Sequence, residues 1–196
     1  MKYDTKQMIA NMTSDQLKLQ VWVTQILLFV VSIPLAFWLF TSWNEIQNLF
    51  AGKTIDIFIY GVPIAGMVVV VDAIMMNLLP THLWDDGGIN QKVFEAGSYV
   101  HFFLLCLSVA IVEEWLFRGV LQSNTNLLVA SLLFALIHIR YIDKLFLLIS
   151  VVGLSFLLGG IFLITSHLLV VIVTHFIIDF GLALLIRSGR VYYARS

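Results

Sequence analysis

The chain has 196 residues, of which 60% are hydrophobic and 12% charged, with a net charge of -1 and a mean hydropathy of +0.97. A soluble domain carries about 25% charged residues, so half the usual charge is present and a soluble enzyme is close to excluded. The lack of a basic excess argues against a nucleic-acid partner, and the single cysteine, Cys106, excludes an intramolecular disulfide framework or a cysteine-based metal cluster.

Residues 1–20 are polar, with Lys2, Asp4, Lys6, Asp15 and Lys18. Residues 21–40 then run without a charge, which is a spanning length. The run is longer than a signal-peptide core and ends in Phe37, Trp38, Phe40 and Trp43, which suit a membrane interface. It predicts an uncleaved first helix. A second span covers 57–79, interrupted by Asp72 and stopped by Pro80. The polar loop 81–98 holds Asp85, Asp86, Gly87, Gly88 and Glu95. A third span covers 99–121. After the turn at 122–126, residues 127–139 are too few for an ordinary span and predict a short span or a membrane-embedded segment. Spans over 145–165 and 168–186 complete the chain. No repeat or linker divides it, which predicts one integral membrane domain over 1–196. Continuous apolar runs exclude alternating barrel strands. The expected fold is an all-α, polytopic transmembrane helical bundle of about six spans.

With six crossings, the N-terminus, the 80–98 loop, the 140–144 turn and the C-terminus share one side. That side carries Lys2, Lys6, Lys18, Lys92, Arg140, Lys144, Arg187, Arg190 and Arg195, and the other only Lys53. Lys and Arg accumulate on the cytoplasmic side, so both termini are expected there. Counting the short fourth segment as a crossing keeps the C-terminal arginines on that side.

A charge inside the bilayer costs several kcal/mol and is a functional-site hypothesis by default. Asp72, Glu113, Glu114, Arg118 and Asp179 lie within spans, joined by His138 and His175. At about 100° per residue, Glu114 and Arg118 share a helix face and can pair. Glu113 projects about 100° away and is offered to another helix. His175 and Asp179 share a face, as do Phe134 and His138. Counted from the turns at 122–126 and 165–167, Glu113, His138, His175 and Asp179 lie about 13–20 Å from the same surface. They can therefore occupy one layer of the bundle. The plainer reading, in which intramembrane polar residues only hold helices together, suits Glu114 and Arg118 at least as well. Asp72 could cap the site, contact Arg118 or line a wet cavity, and a structural role is expected. Cys106 reads as a small buried hydrophobe. His82, His101 and His167 are expected to be solvated at loops and interfaces.

Glu113-Glu114-Trp115-Leu116-Phe117-Arg118-Gly119 resembles the EExxFRG signature of the CAAX-protease and bacteriocin-processing (CPBP, or Abi) intramembrane proteases, which include the type II CAAX prenyl endopeptidase. Phe134-Ala135-Leu136-Ile137-His138 matches that family's FxxxH motif, and His175-Phe176-Ile177-Ile178-Asp179 its HxxxN/D motif. The motifs occur in family order over 113–179, within a catalytic core of about 99–187. The resemblance implies a membrane-embedded endopeptidase acting on a membrane-associated peptide or protein. It implies Glu113 as the base that activates water, His138 as a holder of that water, and His175 with residue 179 as oxyanion stabilisers. Glu114, Arg118 and Phe134 would support the site. An ionised Asp179 would repel an oxyanion, so it must be protonated, orient His175 or bind a metal. The expected form needs no cofactor; the alternative is Zn²⁺ held by His138, His175 and Asp179.

The expected setting is a bacterial plasma membrane, where pheromones and bacteriocin leaders are more reasonable substrates than prenylated proteins. Two other functions compete. One is a non-proteolytic bacteriocin self-immunity or regulatory membrane protein, which would not require intact motifs. The other is a proton-coupled transporter, which also uses intramembrane Asp, Glu and His but is usually internally repeated.

Overall fold

A computed structural model describes residues 11–189. Lys2, Asp4, Lys6, Arg190 and Arg195 lie outside the described residues. Among the described residues there are nine α-helices and no strand.

Helix α1 (Ser14–Leu39) begins before the charge-free run. Thr13 and Gln16 form a capping box: Thr13 Oγ1 accepts from the Gln16 N–H at 3.3 Å, and Gln16 Oε1 accepts from the Thr13 N–H at 2.9 Å. The short α2 (Trp43–Asn48) follows. A π-helical turn, Ile57–Gly61, leads into α3 (Val62–Leu78). The 81–98 loop contains two small helices, α4 (Thr81–Trp84) and α5 (Ile89–Glu95). Helix α6 (Tyr99–Glu114) widens without a break into a π-helical stretch, Trp115–Gln122. Helix α7 (Leu127–Ile137) is capped by Asn126, whose side-chain oxygen accepts from the Val129 N–H at 2.9 Å, and ends in a 3-10 turn, Ile139–Tyr141. Helices α8 (Leu145–Thr165) and α9 (Leu168–Arg187) close the bundle.

Five segments are long and apolar enough to cross a membrane: Ser14–Leu39, Ile57–Leu78, Tyr99–Gln122, Leu145–Thr165 and Leu168–Arg187. The fourth expected span is the exception. Helix α7 has 11 residues, about 16 Å of rise against a hydrocarbon core of about 30 Å. It covers half the bilayer as a helix, and irregular chain makes the rest of the return to α8.

Helices α6 and α9 are the most buried of the five, and α1 and α3 flank them. Helix α9 packs on α3 and α6, α6 on α1, and α7 on α8. The core at their centre includes Ala110, Leu158, Leu168, Val170 and Val171. Helix α8 approaches the π-helical stretch closely. A Cβ on Gly159 would stand 2.3 Å from Leu127 Cδ1 and 2.8 Å from Gln122 Oε1, and Gln122 Nε2 donates to the Gly159 carbonyl at 2.8 Å.

Basic side chains gather the polar segments at one end of the bundle. Lys18 donates to the Ala96 carbonyl, Lys144 to the His82 carbonyl at 3.1 Å, and Arg187 to the Gly97 carbonyl at 2.6 Å. The start of α1, the 81–98 segment, the turn before α8 and the end of α9 therefore meet there. At the opposite end, the Leu168 N–H donates to the Leu49 carbonyl at 2.7 Å. His167 lies at that end and is 3% exposed, contrary to the solvated position expected for it. The reason is Gly52: a Cβ there would fall 2.3 Å from His167 Cβ, so the missing side chain lets the loop close over the ring.

Candidate active site

The first element of the site is the α-to-π transition in α6. Glu113 and Glu114 are the last two α-helical residues, and Arg118 follows in the wider π-helical turns. Such insertions occur often at functional sites. Glu114, Arg118, His175 and Glu113 are all buried, at 0%, 1%, 4% and 6% exposure.

Glu114 and Arg118 form the pair expected from their spacing. Arg118 Nε lies 3.1 Å from Glu114 Oε2, and Arg118 Nη1 donates to Oε1 at 3.2 Å. Two further partners were not foreseen. Arg118 Nη2 donates to the Ser155 carbonyl at 2.9 Å and to Ser155 Oγ at 3.1 Å. Glu114 Oε1 also meets His175 Nδ1 at 2.7 Å, across from α6 to α9. Buried charges need this degree of pairing to be tolerated. The guanidinium also stands over the Phe134 ring, 4.9 Å from its centroid.

Phe134 ties this group to α7. Its ring meets Phe117 edge-on at 4.9 Å and stacks on His138 at 4.6 Å. His138 Nδ1 is 2.9 Å from the Phe134 carbonyl. A carbonyl only accepts, so Nδ1 carries the proton and Nε2 of the neutral ring is left as an acceptor. His138 is within electrostatic reach of Glu113 and His175.

On α9, the other nitrogen of His175, Nε2, faces Asp179 Oδ2 at 3.5 Å, which is an ion-pair distance but a long hydrogen bond. Asp179 keeps 28% of its side chain exposed, where His175 keeps 4%. It feels the charges of His175, Glu113 and Glu114. The seven motif residues thus converge from α6, α7 and α9.

Glu113 faces elsewhere. Its Oε1 accepts from Gln25 Nε2 of α1 at 3.1 Å. No ion pair to Glu113 occurs among the described residues. Gln25 and Ser155 are the two site residues that sequence reasoning missed. A signal existed for Gln25, an amide within an otherwise charge-free span. Ser155 offers no such signal, since half of its contact is through its backbone carbonyl.

Asp72 is not part of the cluster. Arg118 spends its hydrogen bonds on Glu114 and Ser155. Gly61 lies beside Val170 and Thr174, and Val69 beside Gly181, so α3 runs parallel to α9. Asp72 therefore sits beyond Asp179, towards the 81–98 segment. Cys106 is buried and free. At the same polar end, Arg140 bonds the Tyr141 hydroxyl and lies over its ring. Burial holds the Asp86 carboxyl above the usual carboxylate range, against the opposing pull of Asn90's N–H and Arg140.

Zinc was the alternative for His138, His175 and Asp179. Both nitrogens of His175 face carboxylates, and His138 Nδ1 is held by a carbonyl. Among the described residues, no group of three or more His, Cys, Asp or Glu side chains is arranged to hold a metal ion. Nδ1 fixed by a carbonyl or a carboxylate leaves Nε2 of each ring as the nitrogen a metal would take.

The family model described as "Type II CAAX prenyl endopeptidase Rce1-like" matches residues 95–181. A protein of Bacillus subtilis (strain 168), described as "Uncharacterized protein YpbD", is 41% identical over 169 residues, or 86% of this chain and 89% of the relative. No solved structure matches. Together with the five apolar helices, these likenesses make the chain an integral membrane protein of protease type. It belongs to the Rce1-like family of type II CAAX prenyl endopeptidases.

Proposed function

We propose that the chain is an intramembrane endopeptidase that hydrolyses a peptide bond in a membrane-associated peptide or protein, with Glu113 as the base. The observation that carries this reading is the division between the two glutamates. Glu114 is locked to Arg118 and His175, whereas Glu113 is held by a neutral amide. A carboxylate with no ion pair among the described residues, in a water-poor bundle, is suited to proton abstraction.

The steps follow from the groups present. A water gives one hydrogen to Glu113 and directs its other to His138 Nε2. Its oxygen attacks the substrate carbonyl carbon, and the abstracted proton rests on Glu113. The oxyanion meets the Nε2–H of His175, whose ring is gripped by Glu114 through Nδ1 and steered by Asp179. One such donor contributes about 3–4 kcal/mol to lowering the barrier. Glu113 then delivers the proton to the leaving nitrogen, and the C–N bond breaks to give a carboxylic acid and an amine. In this reading the single Nε2 hydrogen turns from Asp179 to the oxyanion, and Asp179 acts by positioning His175.

The reading assigns no metal to the reaction. It treats residues 1–196 as one domain with a catalytic core of about 99–187. It puts the basic end of the bundle, with both termini, in the cytoplasm of a bacterial plasma membrane.

Two measurements test it. Membrane peptide fragments are compared between cells carrying the wild-type chain and cells carrying Glu113→Gln at equal protein level. Fragments present in the first and missing in the second are expected; an identical set removes Glu113 as the base. Cleavage by the purified protein is expected to survive strong chelation, and its loss with rescue by zinc alone would restore the metal form.

A further inference from the structure

Gln25 lies outside the family match at 95–181 and outside all three motifs. It is 5% exposed. Its Nε2 donates to Glu113 Oε1 at 3.1 Å, and its Oε1 is buried with no partner among the described residues. The amide cannot be turned around, because the opposite orientation would set an oxygen against a carboxylate. An unpartnered buried acceptor costs about 1–3 kcal/mol, and it calls for a donor that arrives from outside the protein.

Holding the bundle together does not explain the amide. Helix α1 is already fixed on both sides of Gln25. Lys18 bonds the Ala96 carbonyl, and Trp115 Nε1 donates to Ser32 Oγ at 3.0 Å. The attacking water does not explain it either, on the endopeptidase reading, since both its hydrogens go to Glu113 and His138. Two donors remain, an ordered second water and the substrate. A peptide opened for hydrolysis in hydrocarbon cannot keep all its N–H groups bonded internally, and each one left bare is expensive. Both atoms sit on one amide carbon, so Gln25 Oε1 lies within about 5–6 Å of Glu113 Oε1 by bond geometry.

We propose that Gln25 is a substrate-binding residue: its Oε1 accepts a backbone N–H of the peptide close to the scissile bond, while its Nε2 holds Glu113. One side chain then couples the position of the peptide to the position of the base. This inference rests on the endopeptidase reading above.

The test uses a synthetic, internally quenched peptide spanning a cleavage site found in the Glu113→Gln comparison. The same peptide is also made with each backbone amide near that site N-methylated in turn. The wild-type protein is expected to lose tenfold or more in kcat/KM for one methylated position. Gln25→Met keeps the side-chain shape and removes both polar atoms. It is expected to cleave the parent peptide tenfold or more slowly and to be indifferent to that one methylation. Gln25→Leu removes the same two polar atoms with a different shape and is expected to lose the sensitivity likewise. This also covers the case in which Gln25→Met fails to fold. If both variants respond to every methylation as the wild type does, the inference falls while Glu113 stands. If Glu113→Gln cleaves normally, Glu113 is not the base, and the inference built on it falls too.

Discussion

The two sides of α6 around residue 113 are built differently. On the Glu114 side the charges are paired: Arg118, Ser155 and His175 join three helices at 2.7–3.2 Å. On the Glu113 side, a single neutral amide reaches the carboxylate, and that amide keeps an unpartnered oxygen. Two neighbouring glutamates of identical chemistry therefore stand in different surroundings. Its ion pairs make the first a strut of the bundle. The second, the proposed base, has no ion pair among the described residues and would take and return a proton.

That contrast can be broken most forcefully at Arg118. Arg118→Met strands Glu114 as a buried charge, and removing one partner of such a pair costs about 3–5 kcal/mol. The folded fraction in detergent, followed by thermal melting, is expected to collapse. A variant with wild-type melting would show that the Glu114 side is not a strut. Gly159→Val probes the same side by packing. The new side chain would collide with Leu127 and Gln122, and overpacking of this kind costs about 1–3 kcal/mol. On the Glu113 side, Glu113→Gln is expected to melt within about 1 kcal/mol of wild type, as the amide can still pair with Gln25; a larger loss would make Glu113 structural too.

The smallest expected effect lies outside both regions, at Asp86. Burial raises its carboxyl above the usual range, so the folded chain binds the proton more tightly than the unfolded one. Stability contributed by this group is then greatest below the unfolded value, about 3.9, and falls as pH rises through the folded value. Asp86→Asn should flatten that decline in melting temperature without changing the response of Glu113→Gln. An unchanged slope would mean that another group sets it.

Much of this was readable in the residues. The charge-free runs marked the long helices because lipid admits little else. The separation of Glu113 from Glu114 followed from a rotation of about 100° per residue. What escaped was whatever depends on a neighbour rather than on spacing. The start of α1 at Ser14 is set by the Thr13–Gln16 capping box, inside a stretch whose charges read as a tail. The burial of His167 depends on the missing side chain of Gly52, far away in sequence. Gln25 carries no charge, so a search for charges in the membrane passed it over. Ser155 contributes partly as backbone, which any residue could supply. The length of α7 was ambiguous for another reason: residues 127–139 are apolar almost to the end, and only the turn at Ile139–Tyr141 shows where helix stops.

The shortness of α7 also bears on how a hydrolase within lipid obtains its second reactant. Eleven helical residues bring the chain about half-way across the hydrocarbon. The 3-10 turn and the few residues after it return it to the polar end, where Lys144 bonds the His82 carbonyl before α8 begins. Non-helical chain at that depth is tolerated in lipid only where it is buried in protein or lines a wet cavity. On the endopeptidase reading, this segment beside His138 is where water would enter the catalytic layer.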